Sequence, residues 1–221
     1  MRRRDVMADA DLFSDDGASL PHSLKGLRDE LDDCRRCPLY KHATHVVPGE
    51  GPRDAPVIFV GEQPGDQEDA RGKPFVGPAG RLLDRAFGDA DIDRDRVFIT
   101  NAVKHFKFEQ RGKRRLHKRP NANEIERCKW WLEGEFKLIE PRLAVALGTT
   151  AARALFGHTV TISKVRGDFV ALPEHQGIEA FVTVHPSSLL RAPDDETRER
   201  NYKAFVADLR AIARHVPQIR T

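Results

Sequence analysis

The stretch RGKRRLHKRP, residues 111–120, sets Lys113, Arg114, Arg115, Lys118 and Arg119 around a single histidine, His117. Cationic runs hold water or phosphate, and neither needs an imidazole. Positive neighbours oppose protonation of the ring. A neutral ring keeps a nitrogen lone pair, which can act as a base or attack an electron-poor carbon. A phosphate-binding surface loop with an incidental histidine accounts for the same stretch. A second reactive group is the three cysteines, Cys34, Cys37 and Cys128. The first two form CRRC, a spacing from which two thiolates reach one metal within a single turn, and a structural zinc site is chemically reasonable there. His42 and His45 lie close enough to compete as ligands. Three cysteines do not make a disulfide framework.

The elements that must position these groups alternate between helix and strand. LPHSLKGLRDELDDC reads as an amphipathic helix, and APVIFVGE as a short continuous apolar run of the kind buried in parallel sheets. GPAGRLLDRAFGDADI is a helix, DRVFITNAVKH a second strand, and NANEIERCKWWLEGEFKLIEP a helix with a capping asparagine and a proline past its end. PRLAVALG is a third strand leading into a helix at TTAARALFG. After a loop and GDFVALP, EAFVTVHP is the fourth strand, and ETRERNYKAFVADLRAIARHV closes the chain as a helix. The pattern predicts a single α/β domain over residues 21–217. Its central sheet is four-stranded and mainly parallel, flanked by helices on both faces as a three-layer sandwich. Residues 1–20 are expected to be a flexible extension.

The chain has 221 residues and a net charge of +3, enough length for a proper core and too little charge to prove a nucleic-acid partner. No apolar run approaches a membrane span. The opening segment lacks the apolar centre of a signal peptide, so a cytoplasmic protein is expected, as is a monomer.

The unusual polar residues all fall at strand carboxyl ends. GEQPGDQED follows the first strand, Asn101 ends the second, GTT follows the third and HPSS the fourth. Open α/β sheets place their ligand crevice there. Glu62, Gln63, Asp66, Asn101, His185 and Ser187 are therefore the candidate site members. Each has an ordinary reading too: Asn101 capping a turn, His185 bonded to a carbonyl, Phe75 in the core. Asp66, Glu68 and Asp69 can form a solvated acidic loop, Glu68 above all.

These stretches, in this order, resemble the uracil-DNA glycosylase superfamily. GEQPGDQEDARGKPFVGPAGRLLD resembles the first motif of the iron–sulfur, family-four branch, and HPSSLL its last motif. GEQPG together with GKRRLHK, which fits the pattern KRRxHK, resembles the UdgX group. The resemblance spans about residues 30–215. It implies a protein that flips uracil out of the DNA stack into a pocket. Asn101 would read the base, since its amide offers one acceptor and one donor to the uracil N3–H and O4, whereas cytosine presents the reverse. Phe75 would stack on uracil, His185 would contact O2, and Gln63 and Asp66 would complete the pocket and its catalytic edge. His117 would capture C1′ of the sugar once uracil has left, with Glu62 assisting, so that the enzyme is consumed. Lys113, Arg114, Arg115, Lys118, Ser187 and Ser188 would hold the DNA.

The resemblance also implies a [4Fe–4S] cluster on Cys34, Cys37, His105 and Cys128, with the His105 of NAVKH standing where family four has a cysteine. A structural zinc ion is the alternative. The implied partner is uracil-containing DNA, with a single strand expected to be preferred and free uracil as product. A conventional turnover glycosylase using water, and a non-catalytic DNA-binding iron–sulfur protein, remain open beside this reading.

Overall fold

A computed structural model describes residues 20–221. The helices are α1 (Leu24–Asp32), α2 (Asp66–Arg71), α3 (Pro78–Asp89), α4 (Ala122–Ile139), α5 (Thr149–Phe156), α6 (Ile162–Val165), α7 (Pro186–Leu190) and α8 (Asp195–His215). The strands are β1 (Val57–Gly61), β2 (Phe98–Asn101), β3 (Phe108–Arg111), β4 (Arg114–His117), β5 (Leu143–Leu147), β6 (Phe169–Ala171) and β7 (Glu179–Thr183). The expected flexible extension falls almost wholly on residues 1–19, which lie outside those described.

The central sheet has five strands in the order β2-β1-β5-β7-β6, not the four expected. β2, β1, β5 and β7 are parallel, and β6 adds to β7 antiparallel. The extra strand lies in GDFVALP. It is three residues long, sits at the sheet edge and stays partly exposed, so it carries neither a continuous apolar run nor a clean alternation.

Side-chain alternation along the buried strands builds two cores. Ile58 and Val60 of β1, Ala144 and Ala146 of β5, and Val182 of β7 face one way, against α1, α4 and α5. Val57 and Phe59, Leu143 and Val145, and Phe181 face the other way, against α3, α7 and α8. The chain continues past residue 217 without leaving the fold: Ile219 is fully buried and Arg220 bridges to Ile92.

β3 and β4 form a separate two-stranded hairpin outside the main sheet. Its two-residue turn has Gly112 at φ 57, a left-handed conformation that glycine takes without strain. Among the described residues, no helix is long and apolar enough to cross a membrane.

Candidate active site

β1 has β2 on one side and β5 on the other, so the chain reverses its direction of travel across the sheet beside β1. A crevice opens at such a reversal. Here it is a cavity of about 850 Å³ whose lining includes Glu62, Gln63, Phe75, Asn101, His117 and His185. Residues as far as 123 positions apart are thus gathered by the parallel sheet and the hairpin.

Asn101 pairs in register with Gly61 at the ends of β2 and β1. A Cβ at Gly61 would stand 2.4 Å from Asn101 Oδ1 and 2.6 Å from Phe75 Cζ, so glycine is required for both to approach the strand. Phe75 itself has φ 54, a left-handed conformation unfavourable for a bulky side chain. Its ring lines the cavity and at the same time packs into the core beside α3. The His185 ring lies 6.0 Å from it between centroids.

His185 sits two residues beyond β7 and caps α7. Its Nδ1 accepts the Ser187 backbone N–H at 3.1 Å, and a backbone N–H can only donate. The neutral ring therefore carries its proton on Nε2. Burial, helped by the charge of Arg191 and then His117, lowers its pKa to about 4. His185 is a neutral hydrogen-bond donor throughout the physiological range.

His117 is the last residue of β4 and is half exposed. Its Nε2 lies 2.9 Å from Gln63 Nε2 and 3.5 Å from Glu62 Oε1. Its pKa falls below the ordinary imidazole value, chiefly through burial; Glu62 opposes the fall, and Arg191 and Arg119 add to it. The direction is the one expected from the cationic stretch, but the leading cause is desolvation. Arg115 and Lys118 are paired with carboxylates of their own.

Gln63 fastens the hairpin. Its Nε2 donates to Lys107 O at 3.1 Å and Lys118 O at 2.9 Å, while its Oε1 accepts the Lys107 N–H at 3.1 Å. Arg115 fastens the outer side. Its Nε donates to Asp66 Oδ1 at 2.6 Å and its Nη1 to the fully buried Asp69, and its guanidinium lies over the Phe106 and Phe108 rings. Expected as a phosphate clamp, Arg115 is instead committed to two carboxylates. Lys118 pairs with Glu109 across the hairpin, whereas Lys113 and Arg114 are exposed at its tip. Ser187 and Ser188 lie at the start of α7, Ser188 exposed.

Glu68 is also placed otherwise than expected. It is buried, not solvated, because its carboxylate accepts the Gly65 N–H at 3.1 Å and the Gly77 N–H at 2.7 Å. It closes the loop that presents Gln63 and Asp66. Sequence reasoning also missed Thr150, whose hydroxyl donates to Glu62 Oε2. Its signal was present: it lies in the first turn of a helix that follows a buried strand and a glycine.

The cysteines are free, buried and in the same core as β1 and α4. Two of the sulfurs accept N–H groups: Cys128 from the Lys104 backbone at 3.2 Å and Cys34 from Trp131 Nε1 at 3.1 Å. Burial pushes the Cys128 thiol up to about 12 and raises Cys37 as well. His105 is buried, its pKa lowered to about 4 chiefly by desolvation, and its Nδ1 has no hydrogen-bond partner. Among the described residues no group of three or more His, Cys, Asp or Glu side chains closes around the position of a single ion. A zinc ion would need all its donors at about 2.0–2.3 Å from one point. Buried thiols and an orphaned imidazole nitrogen in one core are donors of the kind that an iron–sulfur cluster or a zinc ion takes.

This arrangement has known counterparts. Residues 48–210 match the model of the uracil DNA glycosylase superfamily. The chain is 36% identical over 178 residues to the type-4 uracil-DNA glycosylase of Sulfurisphaera tokodaii, covering 78% of each. It is 38% identical over 171 residues to that of Thermotoga maritima, covering 77% of this chain and 84% of the relative. A type-5 uracil-DNA glycosylase of Pyrobaculum aerophilum matches at 28% over 187 residues, covering 75% of this chain and 76% of the relative. The chain belongs to the uracil-DNA glycosylase superfamily.

Proposed function

We propose that the protein excises uracil from DNA and that His117 then bonds to C1′ of the abasic deoxyribose. The observation that carries this reading is the His117 ring at the cavity rim, 3.5 Å from Glu62 and in contact with Gln63. The extruded base enters between Phe75 and His185, with Asn101 in the lining of the same cavity. Asn101 makes no side-chain hydrogen bond to another described residue, so both halves of its amide are available to the N3–H and O4 of uracil. Cytosine would leave those groups unpaired, at a cost of about 1–3 kcal/mol each.

In the chemical step the N1–C1′ bond breaks and its electron pair leaves with uracil. The His185 Nε2–H donates to uracil O2, where negative charge develops. A His117 ring nitrogen gives its lone pair to C1′ of the oxocarbenium-like sugar. The proton on the other ring nitrogen passes to the Glu62 carboxylate, and a neutral N-substituted imidazole remains. That bond has no good leaving group, so one protein is used per lesion. Arg119, Ser187 and Ser188 at the cavity and Lys113 and Arg114 at the exposed hairpin tip suit the phosphates of a splayed single strand.

Cys34, Cys37, His105 and Cys128 would hold a [4Fe–4S] cluster, which supplies a structural staple between the N-terminal segment and α4. Turnover with water is the second reading, favoured by the named activity of the relatives. Mixing the protein with uracil-containing single strand and running a denaturing gel separates the two. A shifted band that survives denaturant supports capture; released uracil without that band supports turnover. His117→Ala should abolish the band while leaving the protein folded. A persistent band in that variant would refute the assignment.

A further inference from the structure

Beneath Asn101 lie two charged residues that no step above uses. Lys104 and Glu135 have side-chain exposures of 0% each, and their charged groups meet at 2.7 Å. All three Lys104 ammonium hydrogens are engaged: by Thr100 Oγ1 at 2.6 Å, by Asn101 O at 2.8 Å and by Glu135 Oε2 at 2.7 Å. Glu135 Oε1 accepts the Gly49 N–H at 2.9 Å and the Thr100 hydroxyl at 3.1 Å.

A buried ion pair is a poor device for stability, since apolar residues of similar volume do as well or better. What an apolar pair cannot provide is a donor for the Asn101 carbonyl. The backbone around that carbonyl is held at every step. Ala102 N donates to Gly61 O at 2.9 Å, Val103 N to Glu62 O at 3.0 Å and Lys104 N to Cys128 Sγ at 3.2 Å, while Lys104 O accepts the Val47 N–H at 2.9 Å. The segment is thus strapped beneath both Glu62 and Asn101. Gly49 is part of the device, because a Cβ there would stand 2.2 Å from Phe98 Cε1 and 2.8 Å from Glu135 Oε1.

We propose that the Lys104–Glu135 pair is a positioning device for base recognition: it clamps the Asn101 carbonyl and so fixes the direction in which the Asn101 amide meets the extruded base. This rests on the uracil-excising reading and deepens it. The two residues touch no substrate and act through Asn101.

The test is single-turnover release of uracil from a single-stranded oligonucleotide, followed as a function of protein concentration with the full chain as purified. Glu135→Gln keeps the shape and the acceptor for Gly49 but removes the charge. Its maximal rate should fall by about tenfold or more, while the half-saturating concentration stays within about twofold, because geometry and not DNA affinity is lost. Thr100→Val removes the hydroxyl shared by both partners and should lower the same parameter by a smaller factor; it decides the matter if Glu135→Gln does not fold. Leu132→Ala, on the same helix but outside this network, loosens the core and should leave the maximal rate unchanged wherever it is folded. Wild-type maximal rates in the folded network variants, or an equal loss in Leu132→Ala, would overturn the proposal. A wild-type protein that releases no uracil would instead overturn the glycosylase reading, and this proposal with it.

Discussion

The Thr150 hydroxyl donates to Glu62 Oε2, which leaves Glu62 Oε1 turned toward His117 Nε2 at 3.5 Å. One carboxylate oxygen is tethered to the N-terminal turn of α5 and the other is presented to the ring. Such a tether narrows the orientations open to Glu62, and orientation governs proton transfer. Replacing Thr150 by valine keeps the volume and deletes the donor. Adduct formation should slow by about tenfold, with DNA affinity unchanged, and Thr150→Ser should restore it. A valine variant with wild-type capture kinetics would show the tether to be idle.

The acid side of the pH profile follows from His117. Its pKa is lowered by burial, so the ring stays neutral to a lower pH than an ordinary imidazole. Capture should therefore fall off at a lower pH than the protonation of an ordinary imidazole would dictate. Stopped-quench adduct yields between pH 4 and 8 check this. A loss centred at the ordinary histidine value would mean that the ring is solvated.

His185 makes a separate statement about stability. Its folded pKa, about 4, lies below that of an unfolded histidine, so the unfolded chain binds the extra proton first. Stability from this group is complete above the ordinary imidazole value and is lost progressively as pH falls toward 4. Denaturant unfolding of His185→Gln should show a shallower acid loss than the parent protein.

Arg115 and the exposed cations of the hairpin should fail in different ways. Arg115→Met breaks the ties to Asp66 and Asp69 and releases the hairpin, so capture should fall steeply while uracil release persists. Lys113→Ala or Arg114→Ala should leave chemistry intact and reduce the slope of log K against log salt by about 1 each. Binding titrations at several salt concentrations distinguish them. An Arg115→Met variant that lost only salt-dependent affinity would make Arg115 a phosphate contact after all.

Cys128→Ala should bleach the broad visible absorption expected of an iron–sulfur protein and lower Tm by about 5 °C or more. A colourless wild-type preparation carrying stoichiometric zinc would replace the cluster by a single ion.

Much of the site was legible because it lies where buried apolar strands end. VIFVG, FITN, LAVAL and EAFVT identify themselves by composition, and the polar residues at or just after their ends must share one rim. What stayed hidden were partnerships. Lys104 and Glu135 are 31 residues apart, and nothing local marks either as buried, since an isolated lysine or glutamate reads as solvated. Arg115 looked like one more phosphate ligand because Asp66 and Asp69 reach it from 49 and 46 residues away. Glu68 looked exposed because the two N–H groups it accepts belong to loop glycines. The edge strand β6 was missed because a short, half-wetted strand has no periodicity to detect.

The hairpin adds no rung to the main sheet, and its two ends are already neighbours, since Lys118 N donates to Lys107 O at 2.9 Å. An insertion rooted in this way can be lengthened, shortened or exchanged without shifting the register of any buried strand. On the proposed reading, excision and capture would then be housed in separable pieces of architecture, one fixed by the sheet and one clipped onto its rim.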